Sequence, residues 1–187
     1  MAASDGGTAA PYHPEPVGVV QPFTIAHTFP APRELLFAAW TEEERLKQWF
    51  SPAGFTIPVC RLNLVPSGMF HYCMRAANGV EMWGKWIFRE IEAPSRLVFV
   101  NTFSNRHGNI TRHPYVERWP LELLTVATFT ENADKTTLNL EWLPLHPSPA
   151  ERRTFESMHD AMTQGWTGTF AQLASYLATV AASSVEG

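Results

Sequence analysis

Charge is scarce in this 187-residue chain: Asp, Glu, Lys and Arg make up 17%, with 14 basic residues against 18 acidic and a net charge of -4. Without a basic excess there is little to neutralise phosphates, so nucleic acid is not an expected partner. Cysteine is nearly absent. Cys60 and Cys73 are the two present, and both fall in strand-like segments. A single disulfide is one reading; two buried thiols in a reducing compartment is the expected one. Long apolar runs are missing too. The longest are strand-sized, short of the roughly 20 residues a spanning helix needs, so no membrane partner is expected. The opening MAASDGG has no basic patch followed by an apolar run and does not read as a secretory signal. A cytoplasmic protein is the expectation.

The usual signatures of catalysis are also lacking. The seven histidines, His13, His27, His71, His107, His113, His146 and His159, form no HExxH and no finger spacing with cysteine, so no metal is expected. No GxSxG elbow and no glycine-rich phosphate cradle occurs, so no cofactor and no catalytic residue is assigned. Glu81 and Glu141 sit beside tryptophans in strands. Inside an apolar cavity a carboxylate would have a raised pKa; outward, solvated carboxylates are the expectation.

What the chain does hold is aromatic bulk: seven Trp and twelve Phe. Residues 1–16 have no hydrophobic period and read as a disordered arm, ahead of one domain over 17–180 and a flexible tail, 181–187. Phe23, Ile25, His27 and Phe29 alternate as a half-buried strand. Two short helices follow, with Pro32 in the first turn of one and Thr41 with Glu44 as a capping box for the other. Strand patterns then run from Phe55, Met69, Val80, Arg96, Leu123 and Thr136, separated by turn signals, with Asn78-Gly79 marking a hairpin and Pro58 a bulge or exposed edge. Antiparallel strands in succession imply a meander. Residues 104–120 break that rhythm, and a connection of this length reads as a functional loop or lid, with His107, His113 and Tyr115 as its notable side chains. Ser148, Pro149 and Glu151 open a long helix reaching about Thr179. Along it, Phe155, Met158, Met162, Trp166 and Phe170 recur at steps of three and four. Gly165 and Gly168 suggest a close approach of another backbone or a bend.

The order of elements resembles the helix-grip, or START-like, fold of the SRPBCC superfamily: α+β, a curved antiparallel sheet of about six or seven strands around a long C-terminal helix. Local wording narrows the resemblance. FPAPRELLFAAWT at 29–41, LKQWFSP at 46–52, VPSGMFHYCM at 65–74, EIEAPSRLV at 90–98 and MTQGW at 162–166 are similar to motifs of the bacterial homologues of the heat shock protein 90 ATPase activator. Ser67 stands where the family usually has glycine, Trp86 where the strand is often small, and the 104–120 loop is longer than usual.

That resemblance implies an internal apolar cavity. The expected lining is Phe70, Tyr72, Met74, Trp86 and Phe88 from the sheet, and Met158, Met162, Trp166 and Phe170 from the helix. Trp86 could equally fill part of the space. With Phe70, Tyr72 and Met74 facing the helix, His71 and Cys73 should face outward. Three functions follow in order: a binding protein for a small hydrophobic or aromatic molecule, a cyclase- or hydrolase-like enzyme using an acid/base residue in the cavity, and a co-chaperone-like regulator. A homodimer and a chaperone stand open as partners; fold alone decides none of this.

Overall fold

Alternation sets the sheet. A computed structural model describes residues 19–183; the expected arm at 1–16 and residues 184–187 of the expected tail lie outside the described residues. The strands are β1 (Phe23–Phe29), β2 (Phe55–Leu62), β3 (Met69–Ala76), β4 (Glu81–Glu92), β5 (Arg96–Phe103), β6 (Leu123–Asn132) and β7 (Lys135–Pro144). They form one seven-stranded antiparallel sheet in the order β1-β7-β6-β5-β4-β3-β2. Helices α1 (Arg33–Thr41) and α2 (Glu43–Trp49) follow β1, and α3 (Pro149–Ser157) and α4 (His159–Ser183) follow β7. This is the expected helix-grip α+β architecture.

Cross-strand register places one set of side chains on the concave, helix-facing side. Tyr72 opposes Gly84, and Gly84 opposes Phe103. Thr125 opposes Trp142, which in turn opposes Phe23. Residues one position away face the convex side, because the side-chain period of a strand is two. The register shift in β2 falls between Thr56 and Val59, around Pro58.

A column of stacked rings joins the sheet to the helices. Phe99 lies 4.3 Å from Trp86, Trp86 lies 5.7 Å from Trp40, and Trp40 lies 6.0 Å from Trp166, with interplanar angles of 23°, 22° and 11°. Phe50 and Phe70 meet Trp86 edge-on at 4.9 and 4.8 Å. Each such pair adds roughly 0.5–1.5 kcal/mol beyond area burial. Phe70, Trp86 and Phe88 are 0%, 2% and 0% exposed, so this part of the concave face is solid.

Three local readings change. The terminal helix is not continuous: Met158, at φ -101° and ψ 6°, breaks it into α3 and α4. Its N–H bonds to Phe155 O, three residues back, and the break accompanies the packing of Phe155 against Trp119, 5.8 Å away. Gly165 and Gly168 have nothing within 4 Å of a built Cβ, so neither marks a close backbone approach. Thr41 does not cap α2. Its hydroxyl donates to Phe37 O inside the end of α1, and the N-cap is Glu42, which makes no side-chain cap bond. The box at Ser148 and Glu151 does form, with both reciprocal bonds present. Helix α4 runs on to Ser183, past the expected end.

Trp86→Ala is expected to lower the unfolding free energy by about 3–5 kcal/mol, since the space opens among rings held by two helices and cannot collapse freely. Urea denaturation measures this. A loss under about 1 kcal/mol would show that the column does not hold helix to sheet.

Candidate functional site

Beyond Trp166 the concave face is open. A cleft of about 380 Å³ lies between the sheet and the first half of α4. Met74 and Met82 line it from β3 and β4, directly opposite each other. Met158 and Met162 line it from the helix side, one turn apart. Leu123, Trp119, Trp142 and Trp166 complete most of the apolar wall. Ala161 and Gly165 line it and are exposed, so the cleft opens to solvent beside α4.

Of the nine side chains expected to line a cavity, Tyr72, Met74, Met158, Met162 and Trp166 touch the cleft. Phe70, Trp86, Phe88 and Phe170 do not: they lie in the packed core. Their strand and helix parity points inward as expected, but other rings fill the space they face: Trp40 of α1 and Phe50 just after α2 meet Trp86, Phe50 meets Phe70, Phe99 meets Phe88, and Phe29 meets Phe170. Met82, Asn101, Phe103 and Trp142 were missed. Met82 follows from parity alone, two steps along β4 from Gly84 and on the face of Trp86.

Gly84 fixes one polar group. A Cβ built there would sit 2.4 Å from the Tyr72 hydroxyl, so only glycine lets that ring lie across β4. The hydroxyl makes no hydrogen bond among the described residues, and burial pushes its pKa up. Asn101 also lines the cleft without a side-chain hydrogen bond among the described residues. Trp142 Nε1 and Thr125 Oγ1 are buried and lack partners in the same sense.

The long loop divides between two faces. Residues 104–110 fold over the convex side, closed by a bridge between Ser104 and Ile110. Lys85 Nζ donates to Gly108 O at 2.7 Å, and His71 Nε2 donates to Asn105 O at 3.1 Å. His71 and Cys73 do face the convex side, yet they are 8% and 0% exposed, and the loop bonded through Asn105 covers His71. His71 thus faces outward as expected but is buried rather than at the surface. His107 is exposed on this loop, away from the cleft, and Tyr115 is 72% exposed. Only His113 of the three expected lid residues lines the cleft. Its Nδ1 accepts from the N–H groups of Tyr115 and Val116, each at 3.0 Å, which leaves the ring proton on Nε2. Arg112 pairs with Glu151, tying the loop to the α3 cap; that pairing, with the Ser148 bonds, holds the Glu151 carboxyl below its ordinary pKa.

The remaining titratable groups stand apart from the cleft. Glu81 is convex, bonded to Arg75 and the Trp83 indole, which lower its pKa. Glu141 opposes Val126, also on the convex side. Cys60 and Cys73 are free, with side chains on opposite faces of the sheet; burial raises both thiols, to about 12 and about 11. Among the described residues no three His, Cys, Asp or Glu side chains converge to hold a metal. No helix among them is long and apolar enough to cross a membrane.

Comparison with known proteins supplies the family. Residues 30–178 match the family described as Activator of Hsp90 ATPase homolog 1-like protein. The chain belongs to that family. Solved structures agree on the fold of this Hsp90-activator-homologue domain. A Nitrosomonas europaea protein, 23% identical, aligns over 89% of this chain and 99% of its own with a TM-score of 0.69. A Mycobacterium smegmatis protein at 20% identity covers 83% and 90% with a TM-score of 0.68. The AHSA1 protein from Silicibacter pomeroyi, 18% identical, covers 85% and 99% with a TM-score of 0.66. No curated protein is significantly similar to the chain.

Burial lowers the His113 pKa from the ordinary 6.5. The folded state therefore binds protons less readily at this ring than the unfolded chain does. Its contribution to stability is complete above 6.5 and declines as pH falls below it. An NMR titration of the His113 ring should give a midpoint under 6.5, with the 112–119 segment loosening on protonation because Nδ1 can no longer accept. A midpoint at or above 6.5 would contradict the buried placement.

Proposed function

We propose that this domain binds a small, neutral, largely apolar molecule in the cleft between the sheet and α4. The observation that carries the reading is the character of the wall. Four methionines and four tryptophans contribute to it, and among the described residues no Asp, Glu, Lys or Arg lines it. Apolar clefts of roughly 300–1,000 Å³ with a few convergent polar groups are the usual form of small-molecule sites. Methionine suits such a wall because its thioether adapts to irregular shapes and packs well against aromatic rings. A charged ligand would give up its hydration with no counter-ion, a cost of several kcal/mol or more. The acid/base reading has weaker support. Among the described residues, Tyr72 and His113 are the only titratable side chains of the lining, and their shifts favour the neutral forms of both. The co-chaperone reading rests on the family description alone.

Thermal denaturation against a panel of neutral aromatic and lipophilic probes tests the proposal. A probe at about 100 times its Kd stabilises the fold by about 2.7 kcal/mol, a rise of roughly 5–10 °C for a chain of this length. Gly165→Phe places a ring where a Cβ meets open space at the cleft. That variant should fold and lose most of the response. No shift across the panel, or an undiminished shift in Gly165→Phe, would contradict binding in this cleft.

A further inference from the structure

The polar groups of the cleft are few, and they share one capacity. The Tyr72 hydroxyl, held across Gly84 in β4, has no hydrogen-bond partner among the described residues. Asn101 sits on β5 opposite Trp86, two residues from the Phe103 that opposes Gly84, so it is a diagonal cross-strand neighbour of Gly84, about 7–8 Å from it by register. Its carboxamide is likewise unpartnered, and both side chains line the cleft. Behind them, on β6 and β7, the orphaned Thr125 Oγ1 and Trp142 Nε1 oppose each other. Every one of these groups can donate a hydrogen bond, and the indole can do nothing else. Of the four, the Thr125 hydroxyl and the Trp142 indole are fully buried, and buried donors left unpaired are rare in native proteins and costly. Each polar group on the floor of the cleft can thus present a donor to a bound molecule.

The walls add a shape. Met74 and Met82 come from neighbouring strands, and Met158 and Met162 come from the helix side. A flat ring system between the two pairs meets thioethers on both faces, an arrangement worth roughly 0.3–1.5 kcal/mol per contact.

We infer that the ligand is a neutral planar aromatic carbonyl compound, its rings between the two methionine pairs and its carbonyl oxygen accepting from the Tyr72 hydroxyl and the Asn101 amide. The inference rests on the binding reading above and specifies its chemistry. Burial keeps the Tyr72 hydroxyl protonated, so it donates throughout the neutral range. A carboxylate satisfies the same donors but brings an uncompensated charge into a wall that holds none. A hydrocarbon of equal shape gains the methionine contacts and leaves the donors unpaired.

Three probes of similar outline separate these cases: 2-acetylnaphthalene, 2-isopropylnaphthalene and 2-naphthoate, titrated calorimetrically into the full chain. The ketone should bind about tenfold or more tightly than the hydrocarbon, the usual scale for a buried donor regaining its acceptor, and the carboxylate should bind weakest. In Tyr72→Phe, which keeps the ring and removes only the hydroxyl, the ketone preference should fall to about threefold or less; circular dichroism verifies its fold. Equal affinity for ketone and hydrocarbon overturns the inference while leaving apolar binding intact. So does tightest binding of the carboxylate, or a full ketone preference in Tyr72→Phe. Binding of none of the three overturns both this inference and the reading beneath it. The wild-type comparison of ketone with hydrocarbon stands even if the variant does not fold.

Discussion

The column Phe99–Trp86–Trp40–Trp166 is the contact on which the rest of the molecule depends. It runs from β5 through β4 and α1 to α4, so one continuous stack fixes the distance between sheet and helices. Every ring in it is large, and Trp40 and Trp86 are almost wholly buried. Close-packed interiors transmit shape rather than absorb it. With the helix held off the sheet by ring thickness at Trp166, the part of α4 nearer Met158 packs along one side on Phe23, Trp119 and Trp142, and its methionines border the cleft. The cleft is the other side of the same packing: one end of the grip is filled with aromatic carbon and the other stays open. Trp166 belongs to both, stacking on Trp40 with one face and lining the cleft beside Trp142.

Much of the architecture was legible because it is written in local rules. Alternation located β1 and β3 to the residue, Ser148 with Glu151 marked the start of α3, and Pro58 marked the irregularity in β2. The failures share a cause. Thr41 and Glu44 carry a capping-box spacing, but Thr41 is buried at the end of α1 and spends its hydroxyl on Phe37. The break at Met158 has no proline or glycine to announce it; it accompanies the contact of Phe155 with Trp119, far away in sequence. His71 points away from the helix as its parity requires, and a loop contributed from beyond β5 then buries it. Each is a tertiary contact overriding a local signal.

The candidate site was legible to the same degree. Parity alone brings Phe70, Tyr72, Met74, Trp86 and Phe88 to the inner face, and it cannot say which of them meet space and which meet another ring. For Trp86 and Phe70 that division is set by Trp40 of α1 and by Phe50, just beyond α2, which descend on them. Asn101 and Gly84 went unread for a different reason. Neither is apolar, so a search for hydrophobic lining passes over both. Yet Gly84 sets the position of the Tyr72 hydroxyl, and Asn101 supplies the second polar group beside it. The lid loop shows the same limit, since one run of sequence serves two faces of the sheet and only His113 reaches the cleft.

Methionine gives the central claim its own reporters. Of the six methionines, Met74, Met82, Met158 and Met162 line the cleft, Met69 is 47% exposed at the start of β3, and Met1 lies outside the described residues. With the methionine methyls labelled with carbon-13, adding 2-acetylnaphthalene should move the four cleft resonances and leave Met69 in place. Shifts at Met69 equal to those of the cleft four, or a probe that raises the melting temperature without moving them, would show that the open end of the grip is not where ligands bind.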